Sequence, residues 1–318
     1  MATNLCQWLL PATLYGVTEQ VLGFVGLGRM GGPMAGRLAV AGHRVIGFDL
    51  AGAHGRLPEG AVAAASVEAV VGAAEIVFLS LPDGAASLAV CRQIADAPER
   101  RTRVVVDLST IGIKAARECA ALLAPIGLTY VDAPVSGGVA GARSGSLAMM
   151  VGVEAPIFEA LEPLLVVLAA NRFRVGDAPG QGQAMKLLNN FISAAAMAAT
   201  SEAVVFGARM GLDLAKMIDV INVSSGRTTA STDKFPRSVI PRSYDFGFAG
   251  ALMAKDAALY AENADAADVP HQLGASVARL WQEFHAARPD ADFTAIHKYL
   301  EELSGAAAPI GDVSPGRQ

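Results

Sequence analysis

The sequence predicts an α/β domain with a largely parallel sheet, followed by an all-α domain, with one long helix joining the two. From Val21 to about residue 176, short apolar runs typical of buried strands alternate with helical patterns. From residue 183 onward the periodic segments are helical, and the first is a run of helix formers that extends to Met210. A chain of 318 residues is long enough for two such domains.

The composition narrows the class of protein. With 53% hydrophobic and 17% charged residues, the chain resembles a folded α/β protein rather than a disordered one. The net charge is −5 and basic residues form no run, so we expect no nucleic-acid partner. The cysteines are odd in number and widely spaced (Cys6, Cys91, Cys119), and no histidine pair has metal-ligand spacing. We therefore expect a reducing, cytoplasmic location and no metal site.

Two apolar stretches require separate interpretation. In residues 1–19 no basic residue precedes the apolar run and Pro11 interrupts it, which disfavours a secretory signal. We expect a disordered extension or the product of an upstream start codon. The run 191–207 contains Glu202 and several Ser and Thr residues, so we expect it to fall short of a membrane span and to be buried between domains or subunits. The predicted divisions are 1–19 (extension), 20–180 (first domain), 181–304 (second domain) and 305–318 (loose tail).

The first domain opens with a strand, a glycine-rich turn at Gly26-Leu27-Gly28-Arg29-Met30-Gly31, a helix at 33–40 and a second strand at 44–49. This context raises the GxGxxG pattern above chance and indicates a Rossmann-type dinucleotide site. Gly26 would permit the tight turn, Gly28 the approach of a pyrophosphate, and Gly31 the close packing of helix and strand. The alternative is a plain turn in a glycine-rich chain.

Asp49 ends the second strand, eighteen residues after Gly31. That spacing is near the one expected of the acid that binds an adenosine ribose diol. A carboxylate there would repel a 2′-phosphate, and Leu50 stands where a phosphate site would favour Arg, so the sequence favours NAD over NADP. The alternative for Asp49 is a solvated strand end.

The next two apolar strands, at 75–82 and 102–110, end in small or polar residues. Ligands of open parallel sheets bind beyond the carboxyl ends of the strands. Leu81, Pro82 and Thr110 are therefore predicted to lie beside the cofactor. Pro82 could equally be a residue that ends the strand and has no role in binding.

A further strand at 128–133 leads into the glycine-rich segment Ser136-Gly137-Gly138. Such a turn exposes backbone N–H groups that can bind an anion, and Ser136 adds a hydroxyl donor. The alternative is a flexible loop. Other elements of this domain are predicted as helices at 66–73, 85–95, 114–123 and 155–168 and strands at 148–153 and 173–176.

Lys186 and Asn190 lie four residues apart on the long helix, so one face carries an amine and an amide one turn apart. We interpret that face as the place where a substrate meets its cofactor, although a single lysine could also be a solvated helix residue. The remaining helices of the second domain are predicted at 213–223, 229–234, 248–264, 270–287 and 294–303.

Four motifs now stand in order: Gly23–Met34, Asp132–Ala142, Gly180–Asn190 and Lys255-Asp256. Together they resemble the β-hydroxyacid dehydrogenase family, whose best-known members are 3-hydroxyisobutyrate dehydrogenases and tartronate semialdehyde reductases. The resemblance covers about residues 20–303. It implies a homodimer or homotetramer and a small carboxylate substrate.

Residue by residue, the resemblance makes Lys186 the catalytic residue and assigns substrate binding to Asn190 and to Ser136-Gly137-Gly138. Thr110, Lys255 and the backbone from Phe24 to Met30, including Arg29, would contact NAD. Members that prefer NADP tend to carry Asn-Arg where this chain has Asp49-Leu50.

The resulting hypothesis is NAD-dependent, reversible oxidation of a short β-hydroxy acid to its semialdehyde. Lys186 would act as general acid/base, since desolvation and a cationic neighbour can lower the pKa of a lysine. One alternative is reduction of tartronate semialdehyde or a related small aldehyde acid. The corresponding hydroxy acid would be glycerate, threonate or a sulfonate analogue. Imine reduction is another alternative, but imine reductases of similar architecture generally lack this lysine, so its presence disfavours that activity. A non-catalytic NAD-binding regulator is the alternative from another class.

Overall fold

The computed structural model describes residues 20–53 and 55–305. Contacts divide the chain into two units, one ending at Leu188 and the other beginning at Asn189. This division lies inside a helix rather than at the predicted residue 180, because the first turn of that helix is hydrogen-bonded to loops of the sheet. The predicted extension at 1–19, which contains Cys6, and the tail beyond residue 305 lie outside the described residues.

The first unit is built on a nine-stranded sheet, with the strand order β3-β2-β1-β4-β5-β6-β8-β7 and β9 paired to β8. From β3 to β6 all neighbours are parallel, and the order 3-2-1-4-5-6 is that of a dinucleotide-binding Rossmann fold. The strands are β1 Val21–Val25, β2 Arg44–Phe48, β3 Val62–Ala63, β4 Ile76–Leu79, β5 Val104–Asp107, β6 Thr129–Asp132, β7 Val135–Ser136, β8 Ala148–Gly152 and β9 Asn171–Gly176. The predicted Rossmann-type domain is confirmed.

Helices cover both faces of this sheet, which is why β4 is a continuous apolar run and β5 is apolar up to its last residue, Asp107. One core includes Phe24, which stacks on Phe78 with ring centroids 6.0 Å apart, and the other includes Val77 and Val105. The helices of this unit are α1 Gly31–Val40, α2 Val67–Ala73, α3 Gly84–Asp96, α4 Ile113–Leu123, α5 Gly138–Ser144 and α6 Ala155–Leu168.

Three elements of this unit differ from the sequence prediction, namely α5 and the two-residue strands β3 and β7. The glycine-rich segment after Ser136, for which a flexible loop was the alternative, forms the short helix α5. Two consecutive glycines with positive φ, Gly137 (129°) and Gly138 (64°), turn the chain from β7 into that helix. The strand β3 was not predicted, because two exposed residues show no alternation of polarity.

The second unit is helical, as predicted. It contains most of α7 (Gln181–Arg209) and a core around Trp281, whose indole N–H donates to the carbonyl of Ala194 at 3.3 Å. The segment predicted as a helix at 229–234 is a ten-residue π-helix that continues to Val239. The other elements are α8 Leu214–Asn222, α9 Gly250–Ala266, α10 Gln272–Ala287, a 3₁₀ turn Phe293–Ala295 and α11 Ile296–Leu303.

The helix α7 is more apolar than we expected. By length and composition alone it meets the criterion for a membrane span, with a mean hydropathy of 1.5 over an 18-residue window. This corrects the expectation that the run falls short of a span. Core helices of folded domains meet the same criterion, and 44% of the window is buried within the protein. Ile192 and Phe206 nevertheless remain 60% and 66% exposed.

Candidate active site

The glycine-rich turn connects β1 to α1, and its three glycines meet different surroundings. Gly26 has φ of 91°, and a Cβ atom there would overlap the carbonyl oxygen of Ser80. A Cβ atom on Gly31 would overlap the carbonyl oxygen of Gly26, so helix and strand approach as closely as the backbone allows. A Cβ atom on Gly28 would meet nothing within 4 Å. The loop thus fits a dinucleotide, with a tight turn, a close packing contact and an open approach for the pyrophosphate.

Because the surroundings of Gly31 and Gly28 differ, alanine at Gly31 is expected to reduce stability, and alanine at Gly28 is expected to weaken cofactor binding. Gly31→Ala is expected to lower the free energy of unfolding by about 1–3 kcal/mol, because the added methyl must displace backbone. Gly28→Ala is expected to leave stability unchanged and to raise the Kd for NADH at least about tenfold, or about 1.4 kcal/mol. Urea denaturation and NADH fluorescence titration measure the two quantities. Equal stability losses in both variants would contradict the assignment.

Asp49 is held at the end of β2 by three donors. Its Oδ2 accepts from the backbone N–H of Leu27 in the glycine-rich turn at 2.7 Å. Its Oδ1 accepts from the backbone N–H of Ala51 at 2.9 Å and from Arg56 Nη1 at 3.3 Å. The side chain is only 10% exposed, so Asp49 is not a solvated strand end. Its carboxylate is fixed directly beside the predicted dinucleotide loop.

The loops that follow β4 and β5 are joined to each other. The backbone N–H of Leu81 donates to Ser109 Oγ at 2.8 Å, and Ser109 is buried. Pro82, which follows Leu81 in the chain, is exposed. Thr110, which follows Ser109, is half-buried. The structure therefore brings Leu81 and Ser109–Thr110 together at the carboxyl ends of β4 and β5, the position that the sequence predicted for Leu81 and Thr110.

Gln183, in the first turn of α7, was not singled out from the sequence. Its Nε2 donates to the carbonyl oxygen of Ser109 at 3.0 Å, and its Oε1 accepts from Ile111 N (2.9 Å) and Gly112 N (3.2 Å). Its own backbone N–H donates to Asp132 Oδ2 at 2.9 Å. The start of the predicted catalytic helix is thus bonded to the loop after β5 and to the last residue of β6.

Two buried carboxylates lie at these strand ends. Burial raises the pKa of Asp132 to about 6, although the backbone N–H of Gln183 partly opposes the rise. Burial also raises the pKa of Asp107, whose oxygens accept from Tyr130 Oη at 3.1 Å and Ser109 N at 2.9 Å. Asp107 thus holds the loop that contains Ser109, and Asp132 holds the first turn of α7.

The raised pKa of Asp132 predicts a pH dependence of stability. Between pH 4 and 6 the folded protein keeps the Asp132 proton, whereas an unfolded carboxyl has already released it. The folded state then binds more protons, so this group's contribution to stability falls as the pH rises to about 6 and is constant above. Asp132→Asn removes the contribution, and its stability relative to the wild type is expected to rise over the same interval.

Urea denaturation of both proteins at pH 4, 5, 6 and 7 tests this prediction. The matched control is Asp96→Asn, a substitution of an exposed aspartate at the end of α3. A stability difference between Asp132→Asn and the wild type that stays constant with pH would contradict it.

Lys186 is 5% exposed, which excludes the alternative of a solvated helix lysine. Asn190 follows it by one turn on the same helix and is 6% exposed. Long polar side chains are rarely buried to this extent unless they have partners. The predicted helix face, with its amine and amide, is therefore a buried feature of α7.

In the second unit, Asn190, Asp256 and Lys255 form one cluster. Asn190 Nδ2 donates to Asp256 Oδ2 at 2.6 Å, and Lys255 Nζ lies 3.3 Å from Asp256 Oδ1. Asp256 is 3% exposed. Because a carboxylate only accepts hydrogen bonds, the NH₂ group of Asn190 must face Asp256 and its carbonyl oxygen must face away. The predicted substrate residue and the predicted cofactor residue share this partner.

Three contributors were thus missed by sequence reasoning: Ser109, Gln183 and Asp256. Asp256 stood beside Lys255 in a motif, but nothing in the sequence indicated its bond to Asn190. Ser136 ends β7, which continues the line of β6 along the same edge of β8, and Asp49 lies beyond β1 toward the opposite edge of the sheet. Within the part of the chain that the structure describes, no group of three His, Cys, Asp or Glu side chains could hold a metal ion.

Family models match both parts of the chain. Residues 21–176 match a model described as the NAD binding domain of 6-phosphogluconate dehydrogenase. Residues 180–300 match one described as NAD-binding of NADP-dependent 3-hydroxyisobutyrate dehydrogenase. Together the two models span the Rossmann domain and the helical segment that carries Lys186, Asn190 and Lys255.

Similar proteins cover nearly the whole chain. A 2-(hydroxymethyl)glutarate dehydrogenase of Eubacterium barkeri is 34% identical over 91% of this chain and 98% of its own. A 3-hydroxyisobutyrate dehydrogenase of Pseudomonas aeruginosa is 37% identical over 87% of this chain and 97% of its own. The solved structure of a Mycobacterium tuberculosis 3-hydroxyisobutyrate dehydrogenase with L-serine is 33% identical, with a TM-score of 0.82, and covers 89% of this chain and 99% of that one.

Proposed function

Because this chain belongs to the β-hydroxyacid dehydrogenase family and is a nicotinamide-dependent dehydrogenase of hydroxy acids, we propose that it oxidises an α-substituted 3-hydroxypropionate of the 3-hydroxyisobutyrate type. The product is the semialdehyde, the cofactor is NAD, and Lys186 is the general acid/base. The observation that carries this proposal is the burial of Lys186 and Asn190 one turn apart on α7. A buried amine and amide on one helix face supply a proton acceptor and an orienting group.

The protein's task in this reaction is to orient the substrate and to move one proton. A bound nicotinamide cofactor supplies the hydride acceptor. Lys186 in its neutral form takes the proton of the substrate hydroxyl as the carbonyl forms, and in the reverse direction its ammonium returns that proton. The Ser136 hydroxyl and the backbone N–H groups of Gly137 and Gly138 hold the substrate carboxylate. The carbonyl oxygen of Asn190 accepts a hydrogen bond from the substrate hydroxyl or from the lysine.

The names of the similar proteins support a common substrate pattern. 3-Hydroxyisobutyrate, L-serine and 2-(hydroxymethyl)glutarate all contain a CH₂OH group next to a carbon that carries a carboxylate. They differ only in the third substituent on that carbon. We therefore propose that the site recognises the carboxylate and the hydroxymethyl group, with the third substituent as the variable part. Reduction of tartronate semialdehyde or a related aldehyde acid is the second candidate.

A spectrophotometric screen at 340 nm tests the proposal. The panel contains 3-hydroxyisobutyrate, L-serine, 2-(hydroxymethyl)glutarate, 3-hydroxypropionate, glycerate, threonate and sulfonated analogues, each with NAD and with NADP. The matched negative control is 2-hydroxybutyrate, an oxidisable secondary alcohol whose hydroxyl group lies on the carbon next to the carboxylate. We expect turnover of at least one β-hydroxy acid in the panel and no turnover of the control. NADH binding without turnover of any compound would favour the non-catalytic regulator instead.

The preference for NAD rests on Asp49, whose carboxylate lies beside the glycine-rich turn. Replacing Asp49-Leu50 by Asn-Arg is expected to raise the ratio of kcat/KM for NADP to that for NAD by about 10- to 100-fold. The double variant removes a repulsive charge and adds a donor to the phosphate, and hydrogen bonds to charged groups contribute about 1.5–3 kcal/mol. Leu50→Ala is the control, since Leu50 is 94% exposed. An unchanged ratio in the double variant would contradict the role of Asp49.

We further propose a homodimer or homotetramer in the cytoplasm. The apolar side chains of Ile192, Phe206 and Met210 are each at least 60% exposed along and just after α7, and large exposed apolar groups of this kind favour association. The odd number and wide sequence spacing of the three cysteines favour a reducing compartment. Light scattering of the purified protein in the absence of detergent measures the mass of the assembly, and a monomer would contradict the proposal.

A further inference from the structure

Gln183 is fully buried, and both ends of its side-chain amide are used. The NH₂ group donates to Ser109, and the carbonyl oxygen accepts two backbone N–H groups, from Ile111 and Gly112. A buried amide in which donor and acceptor are both bonded can adopt only one orientation. Gln183 therefore fixes the distance and rotation of α7 relative to the loop between β5 and α4.

A second contact fixes the same turn from another strand. The backbone N–H of Gln183 is one of the helix N–H groups that lack an intrahelical partner, and Asp132 at the end of β6 accepts it. The neighbouring Gly182 packs so tightly that a Cβ atom there would come within 2.8 Å of the carbonyl oxygen of Asp132. The start of α7 therefore cannot shift along its axis or rotate without breaking these contacts.

Lys186 follows Gln183 by three residues, which places the two side chains on adjacent positions of the helix surface. The loop that Gln183 holds contains Thr110, which the sequence predicts beside the cofactor. One side chain therefore connects the helix that carries the proposed acid/base to the loop predicted to border the cofactor.

We propose that Gln183 is a positioning residue for the reaction, which fixes the amine of Lys186 relative to the loop Ser109–Gly112. This inference rests on the proposed function, because it acts through Lys186. Gln183 contacts the loop and the helix rather than the reacting atoms. Misplacement of a catalytic group by about 1 Å can cost about 100-fold in rate. Loss of the Gln183 contacts is therefore expected to lower kcat while cofactor binding is retained.

The main variant is Gln183→Met, which keeps the length of the side chain and removes both hydrogen-bonding ends. Its matched control is Gln181→Met, in the same helical turn, whose Oε1 accepts from the backbone N–H of Ala178 on an exposed surface. With 3-hydroxyisobutyrate and NAD, kcat of Gln183→Met is expected to fall about 10- to 100-fold. The Kd for NADH is expected to stay within about threefold of the wild type, and Gln181→Met to behave as the wild type.

A second readout does not require turnover. The ¹³Cε resonance of Lys186, assigned by comparison with Lys186→Arg, reports the titration and the surroundings of its amine. Its chemical shift and titration curve are expected to differ between Gln183→Met and the wild type and to be unchanged in Gln181→Met. Wild-type curves and wild-type kcat in a folded Gln183→Met protein would overturn the proposal, as would equal losses in both variants.

Gln183→Glu guards against a failure of the first variant to fold. A protonated glutamic acid can donate to Ser109 and accept from Ile111, whereas the ionised form cannot donate. Activity of this variant is therefore expected to be near that of the wild type at low pH and to fall as the pH rises. The ionisable groups around this turn, Asp132, Asp107, Arg117 and Lys186, are present in both proteins, so the ratio of their kcat values isolates residue 183. A ratio constant with pH would overturn the proposal.

The two levels of the hypothesis fail differently. If Lys186→Ala retains turnover, the proposed acid/base is wrong. If Lys186→Ala is inactive and Gln183→Met is fully active, only the positioning role of Gln183 is wrong.

Discussion

Replacing Lys186 with alanine is expected to lower kcat by about 10²- to 10⁴-fold, the contribution of a positioned general acid/base. The lysine is 5% exposed on α7, so its removal deletes a buried amine rather than a surface charge. Steady-state kinetics with 3-hydroxyisobutyrate and NAD measure the effect. The Kd for NADH is expected to stay close to that of the wild type, because the cofactor loops and the glycine-rich turn are untouched.

The matched control is Lys216→Ala on α8, which removes a lysine whose side chain is 74% exposed. It is expected to leave kcat and KM unchanged. The pH profile adds a second criterion, since the ionisation of the base should disappear from the kcat profile of Lys186→Ala. Retention of the wild-type rate and profile in this variant would refute the assignment of Lys186.

Replacing Asp256 with alanine is expected to lower kcat/KM by about 10- to 100-fold. The substitution removes the acceptor of the 2.6 Å hydrogen bond from Asn190 and leaves the longer 3.2 Å hydrogen bond from Asn189 Nδ2 to Asn190 Oδ1 to orient that buried amide. Without Asp256 the buried NH₂ group of Asn190 has lost its acceptor, and an unsatisfied buried polar group costs about 1–3 kcal/mol. This cost favours rotation of the amide, which would point the NH₂ group instead of the carbonyl oxygen at the substrate hydroxyl. Lys255 also loses the carboxylate that lies 3.3 Å from its amine.

The reciprocal pair distinguishes orientation from packing. In Asp256→Asn the partner can accept or donate, so the amide of Asn190 loses its fixed orientation and an intermediate loss is expected. In the double variant Asn190→Asp, Asp256→Asn the hydrogen bond is reformed with its polarity reversed, and residue 190 keeps an acceptor oxygen. Partial recovery relative to Asp256→Ala is expected, and additive losses in a double-mutant cycle would contradict the coupling.

Local patterns explain why most of the fold could be predicted. The Rossmann domain follows from apolar strands, intervening helices and the glycine spacing between β1 and α1, all of which act over a few residues. Asp49 and Lys186 could be singled out as candidates for the same reason, since one ends a strand after the glycine-rich turn and the other lies on an apolar helix. The π-helix Ala230–Val239 was not predicted in this form, because apolar spacing does not distinguish its hydrogen-bond pattern from that of an α-helix.

The sequence by itself determined the fold class, the dinucleotide loop and the amine and amide one turn apart on α7. Only the tertiary structure decided what holds them. The side-chain amide of Gln183 meets its partners across 71 to 74 residues of chain, and Asn190 meets Asp256 across 66. Contacts at such separations leave no periodic or compositional trace, because a hydrogen bond between distant residues depends on how strands and helices pack and not on the residues beside each partner.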